Sequence, residues 1–329
     1  MPIVSSAHLV ENIFDPKAIK YTGTRDGYGS ALVELGKQDD RVVVLCADLS
    51  ESTRSHLFQQ AYPERYVQIG VAEQNLITVG AGLAAVGKVP YMASYAAFSP
   101  GRCWEQIRTT FGYNNLHGIV AGAHAGVSVG PDGATHQAVE DIATMRTIAR
   151  ATVLVPSDSI RAHQATMATI TEPHLWYIRF GRDKYPIFTT NQTPFTVGKA
   201  EVFYTGDDVT VIACGPLVYE ALLAAKELEA QGIGVEVIDA TTVKPLDVET
   251  IVKSVRKTRA VVTAEEASVI GGLGGAVAET LAKHYPAPIE FIGMQDRYGE
   301  SGTADELMTI CHMKQADIVA AIHTVLKRK

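Results

Sequence analysis

The feature that most constrains this chain is a repeated switch between short apolar runs rich in β-branched residues and longer stretches with helical spacing. A parallel strand buried on both faces reads as a near-continuous apolar run, and the helix after it returns the chain to begin the next strand. The pattern predicts strands over 41–47, 66–69, 89–94, 118–123, 152–155 and 175–180, with helices fitted between them. Residues 186–196, PIFTTNQTPFT, hold two prolines and no helical period, which marks a linker. Beyond it the alternation restarts with VTVIACG, the helix-like PLVYEALLAAKELEAQG, VEVIDA, a helix around 246–257, AVVTAEE, a glycine cluster with a helix, and IEFIGM. The fold class is therefore α/β, with two parallel-type sheet domains. Their expected bounds are 1–190, including an N-terminal arm over 1–20, and 191–329. A chain of 329 residues also exceeds what one core usually organises.

Composition narrows the function. Apolar residues form 47% of the chain and charged residues 20%, which suits two packed cores and excludes a disordered protein. The net charge is -7, and the one basic cluster is the terminal Lys327-Arg328-Lys329, so neither nucleic acid nor an anionic membrane is an expected partner. Cys46, Cys103, Cys214 and Cys311 stand far apart with no C-x-x-C pair, which gives no redox dithiol or zinc ribbon. The first twenty residues lack a basic segment followed by an apolar one, and the apolar stretch 76–98 is broken by Lys88 and Pro90. A cytoplasmic protein is the expectation.

Three constellations carry chemistry. Gly271-Gly272-Leu273-Gly274-Gly275 lies between a strand and a helix, where glycines let backbone approach a phosphate. Its spacing differs from G-x-G-x-x-G and it has no P-loop lysine, so close strand-to-helix packing is the favoured role. Glu73, in Ile69-Gly-Val-Ala-Glu73-Gln-Asn75, places one carboxyl between an apolar strand and an apolar helix. Burial favours its acid form and the helix N-terminus its anion, so it is either a poised carboxyl or a helix cap. The loop from His124 to Gln137, HAGVSVGPDGATHQ, presents two imidazoles and the carboxylate of Asp132. Acid-base or substrate contact, metal ligation and capping are all open to it, although spacings of twelve and four residues across a loop fix no tetrahedral site.

Taken in order, GTRDGYGSAL, CADLSES, YVQIGVAEQN, SYAAF, HAGVSVGPDGATHQAVED, LVPSD, YIRFGRD, VTVIACG and KPLD resemble the transketolase family over nearly the whole chain. The resemblance implies a pyrimidine-binding domain followed by a smaller transketolase C-terminal domain. It makes Glu73 the carboxyl that hydrogen-bonds the aminopyrimidine of thiamine diphosphate, and Tyr95 and Phe98 the aromatics packed on that ring. Asp48 lies near the same cofactor loop. His136 is placed for proton transfer at the sugar, Asp132 for recognition of a sugar hydroxyl, and Arg25, Ser52, His124 and Arg179 for holding a sugar phosphate.

The sequence departs from the family in two places. Gly101 stands where many members have a third aromatic, and no G-D-G, the signature of the cation and diphosphate site, occurs anywhere. The resemblance thus implies the C-terminal subunit of a split transketolase, self-associated as a dimer and forming a heterotetramer with an N-terminal subunit. That partner would hold the diphosphate and its Mg2+ or Ca2+. The alternatives are a deoxyxylulose-phosphate-synthase-like half enzyme, which usually has Asp where His124 stands, a pyruvate-dehydrogenase-type β subunit, which lacks the D-G-x-T-H-Q loop, and a catalytically silent interaction subunit.

Overall fold

The computed structural model describes residues 3–329. Its larger sheet has seven strands in the spatial order Thr242–Lys244, Thr152–Leu154, Leu175–Arg179, Gly118–Ala123, Val89–Tyr95, Val42–Cys46 and Tyr66–Gln68. All pair in parallel except the first, which runs antiparallel to Thr152–Leu154. The second sheet orders Ile289–Met294, Val261–Ser268, Val209–Ala213 and Val235–Asp239 in parallel, with Glu201–Tyr204 antiparallel at its edge. The α/β class with two parallel-type sheets is as expected, and 118–123 has the expected bounds, while most other strands are a residue or two shorter.

The strands are apolar on both faces because helices cover both. Val42–Cys46, Gly118–Ala123 and Leu175–Arg179 are buried at every position. Helix Thr24–Gln38 lies across helix Ser159–Ala168, and Gly27 permits the crossing: a Cβ there would sit 1.9 Å from the Ser159 carbonyl oxygen. Asp158 caps the second helix by accepting from the Arg161 amide at 2.9 Å. Its other oxygen receives the Phe188 and Thr189 amides at 3.0 and 2.8 Å, which pins the chain leaving the larger sheet.

Two connections tie the halves together. Thr242–Lys244 comes from the second half of the chain yet completes the edge of the first sheet. The arm packs on the second sheet: the Val4 amide donates to the Phe203 carbonyl at 3.1 Å and the Tyr219 hydroxyl to the Ile13 carbonyl at 2.8 Å. Within the first half, Lys184–Ile187 pairs with Lys20–Gly23 as a two-stranded ribbon. The segment read as a linker therefore begins inside a strand, because pairing with a partner 160 or so residues away in sequence leaves no local signal. Among the described residues no helix is long and apolar enough to cross a membrane.

Candidate active site

Parallel strands deliver their C-terminal ends to one edge of a sheet, and loops at that edge carry most of the singled-out residues. Asp48 follows Val42–Cys46, Glu73 follows Tyr66–Gln68, Tyr95 ends Val89–Tyr95, and His124 follows Gly118–Ala123. The sheet thus gathers groups scattered over some eighty residues of sequence.

Glu73 opens helix Glu73–Ala85 and its side chain is 1% exposed. One carboxylate oxygen faces the Ser94 hydroxyl at 3.4 Å, and the other pairs with the Arg102 guanidinium at 2.9 Å. The helix dipole stabilises an anion at this position.

Beside it stands an aromatic wall. Tyr95 stacks on His124 with centroids 4.1 Å apart and planes at 16°, and Phe98 lies 6.1 Å from Tyr95. His136 presents its ring at steep angles to both, 6.1 Å from Tyr95 and 5.3 Å from Phe98. Its Nδ1 meets the Thr135 hydroxyl at 2.9 Å. The Tyr95 hydroxyl donates to Ser52 Oγ at 3.1 Å, and the Ser52 carbonyl receives the Arg25 guanidinium at 3.2 Å. One connected chain therefore runs from aromatic wall to arginine.

His124 has φ of +52°, the left-handed region, which turns the loop sharply as it leaves the strand. Burial, followed by the charges of Arg25, Arg182, Arg54 and His136, pushes its pKa down to about 3. At neutral pH it is an uncharged imidazole, and its buried Nδ1 has no hydrogen-bond partner among the described residues. Such an atom is expensive unless a ligand meets it. Arg25 is likewise held below its ordinary pKa, by burial first and then by Arg54, and its Nε lacks a partner. Arg54 pairs with Asp26 at 2.6 Å, while Arg182 donates to the Val129 carbonyl at 2.7 Å. These three guanidinium groups around a neutral imidazole form a cationic patch suited to a phosphate or sulfonate.

The remaining residues lie differently. Asp132 is exposed at the end of the short helical turn Val127–Asp132, and Asp48 is exposed with its amide donating to Gln68 Oε1 at 2.8 Å. Arg179, expected at the sugar phosphate, has its guanidinium engaged by other partners. It is 3% exposed, its Nε bonds Asp141 at 2.8 Å, and its Nη2 bonds the Glu266 carbonyl at 2.7 Å and the Ala138 carbonyl at 3.3 Å. Arg179 is the last residue of a fully buried strand, so it closes the seam between the two halves; Arg182, three residues on and past Gly181, takes the open position. Arg54, Ser94, Arg102 and Arg182 were not foreseen. Only Arg182 had a signal, since an arginine in a loop after a buried strand is freer to meet a ligand.

The glycine cluster is occupied by the protein itself. The Glu265 carboxylate accepts from the Leu273 and Gly274 amides at 2.7 and 2.8 Å, filling the N-terminus of helix Leu273–His284. Burial raises its pKa to about 7 despite those bonds. Among the described residues no group of three or more acidic, histidine or cysteine side chains is arranged to hold a metal ion.

Comparison with known proteins agrees with this geometry. Residues 20–187 match the family model described as transketolase, pyrimidine binding domain, and residues 198–318 that described as transketolase, C-terminal domain. The chain is 42% identical over 305 residues to the 6-deoxy-6-sulfo-D-fructose transketolase subunit SqwH of Clostridium sp. (strain MSTE9), covering 93% of this chain and 95% of that protein. It is 41% identical over 312 residues to a putative transketolase C-terminal section of Methanocaldococcus jannaschii, covering 94% and 98%. A solved structure described as a split gene transketolase, inactive beta4 tetramer, superposes with a TM-score of 0.87 at 44% identity, covering 93% of this chain and 98% of that one.

Proposed function

Because the chain belongs to the transketolase family, we propose that it is one subunit of a cytoplasmic two-chain transketolase dependent on thiamine diphosphate, moving a two-carbon ketol unit from a ketose phosphate to an aldose phosphate. The observation that carries this reading is a buried carboxylate, Glu73, beside an aromatic wall that leads to a cationic patch. The residues present fit the pyrimidine end of the cofactor: flat rings for one face and a desolvated carboxylate for a ring nitrogen. Among the described residues no cluster of acidic, histidine or cysteine side chains would hold the Mg2+ or Ca2+, and we assign the cation and the diphosphate it bridges to a partner chain. The relatives named a subunit and a C-terminal section support that division, because they match this chain over nearly their whole length.

Thiamine diphosphate would supply the nucleophilic carbon. This chain's residues would do the rest: Glu73 holds the proton at the aminopyrimidine nitrogen, and Tyr95 and Phe98 exclude water from that ring. His136 moves a proton at the sugar hydroxyl, the neutral His124 offers it a hydrogen bond, and Asp132 recognises a further hydroxyl. Arg25, Arg182 and Ser52 hold the terminal anion. A sulfonated ketose as donor is the second reading, favoured by the similarity to the sulfofructose subunit.

The test is reconstitution with a G-D-G-containing transketolase chain. Calorimetry should find weak cofactor binding by this chain alone and tight, magnesium-dependent binding by the pair; sedimentation should show a dimer becoming a heterotetramer. Tight magnesium-dependent binding by the isolated chain would overturn the division of labour. Within the pair, Arg182→Met should raise KM for the anionic sugar by roughly 10- to 100-fold with kcat little changed, the size expected for a hydrogen bond to a charged group. Comparing phosphorylated with sulfonated ketoses then separates the two donor readings.

A further inference from the structure

We propose that Arg102 is a built-in placeholder for the aminopyrimidine: its guanidinium fills the seat of that ring and must swing out before the ring can enter. The inference deepens the reading just given and rests on it. Two contacts place Arg102. Its Nη1 pairs with Glu73 Oε2 at 2.9 Å, and its Cζ lies 5.1 Å from the centroid of the Phe98 ring. These are the two surfaces assigned to the aminopyrimidine, a carboxylate for its nitrogen and an aromatic face for its plane. A guanidinium imitates both properties, being flat, delocalised and edged with N–H donors.

The burial of the pair is lopsided. The Glu73 side chain is 1% exposed and that of Arg102 is 52% exposed. Arg102 thus covers the carboxylate from the solvent side, and its own route of departure is open. Without it a buried carboxylate would stand beside one distant hydroxyl, that of Ser94 at 3.4 Å, a costly state for an anion. The arginine keeps the ligand-free chain stable and keeps the carboxylate from other partners. Departure costs little because half of the side chain is already exposed and the guanidinium gains water when it leaves. The cofactor's affinity is lowered by the fraction of chains in which the seat is closed.

The test uses the full chain and a neutral probe, 4-amino-5-hydroxymethyl-2-methylpyrimidine, so that neither diphosphate nor metal contributes. In calorimetry, Arg102→Met should bind the probe about tenfold more tightly than wild type, and Arg102→Lys, which keeps the charge but not the flat guanidinium, should fall between the two. Salt gives an independent readout on the unaltered protein. Screening the half-exposed pair should strengthen wild-type binding severalfold between low and moderate ionic strength, and leave Arg102→Met unaffected.

Equal or weaker binding by a folded Arg102→Met chain overturns the placeholder. Should that variant fail to fold, a wild-type affinity that does not rise with salt overturns it instead. Ketol transfer by the reconstituted pair separates this failure from that of the functional reading. Intact transfer, sensitive to Glu73→Gln, with no gain in Arg102→Met discards only the placeholder; transfer that is absent or indifferent to Glu73→Gln discards the reading beneath it.

Discussion

Glu73→Gln lowers ketol transfer by the reconstituted pair by about 10²- to 10⁴-fold, the range of a lost acid-base group, while KM for the sugar stays near wild type. The amide keeps the volume of the side chain and one acceptor oxygen but cannot share a proton with a ring nitrogen. In the proposed site the carboxylate lies at the pyrimidine end, whereas Arg25 of the cationic patch is joined to the aromatic wall through Ser52 and Tyr95. Sugar affinity therefore has no direct stake in Glu73. Steady-state kinetics checks the split between kcat and KM, and a rise in KM at constant kcat would make Glu73 a substrate-binding group.

The second large effect is on stability. Arg179→Met destabilises the chain by about 3–5 kcal/mol in denaturant unfolding, because it strands Asp141 as a buried anion. Asp141 Oδ2 receives both the Tyr177 hydroxyl, at 2.6 Å, and Arg179, at 2.8 Å, and Arg179 also ties the Glu266 carbonyl of the second sheet. The variant loses a cross-link between the halves as well as a charge. Below its melting transition it should retain a near-normal KM for the anionic sugar. Arg182→Met should do the reverse, with little change in stability, so the two arginines of YIRFGRD separate cleanly.

That contrast also shows what the sequence could carry. The runs VVVLC and GIVAGA declare buried strands through their own composition, and the same strand pattern put Glu73, Tyr95 and His124 just past strands, at the ends where the structure has them. In YIRFGRD both arginines suit an anion on chemistry alone, and the resemblance gave that role to Arg179. LWYIR, apolar up to its last residue, belongs to a strand covered on both faces, so its arginine had to find buried partners. Thr242–Lys244 was missed for a different reason, since three residues have no period and their partner strand lies in the other half of the chain. Arg102 was silent because its meaning depends on two turns that bring it to a residue 29 positions earlier.

The most direct measurement is proton-deuterium exchange at the thiazolium C2 of thiamine diphosphate bound to the reconstituted pair, followed by quenched-flow NMR. It reports whether this chain activates the cofactor, before any sugar is present and independently of the anion site. Fast exchange is expected in wild type and in His136→Ala, whose role comes later at the sugar, and slow exchange in Glu73→Gln. Exchange in Glu73→Gln as fast as in wild type would contradict the account, leaving Glu73 a helix-capping residue and the activating group elsewhere.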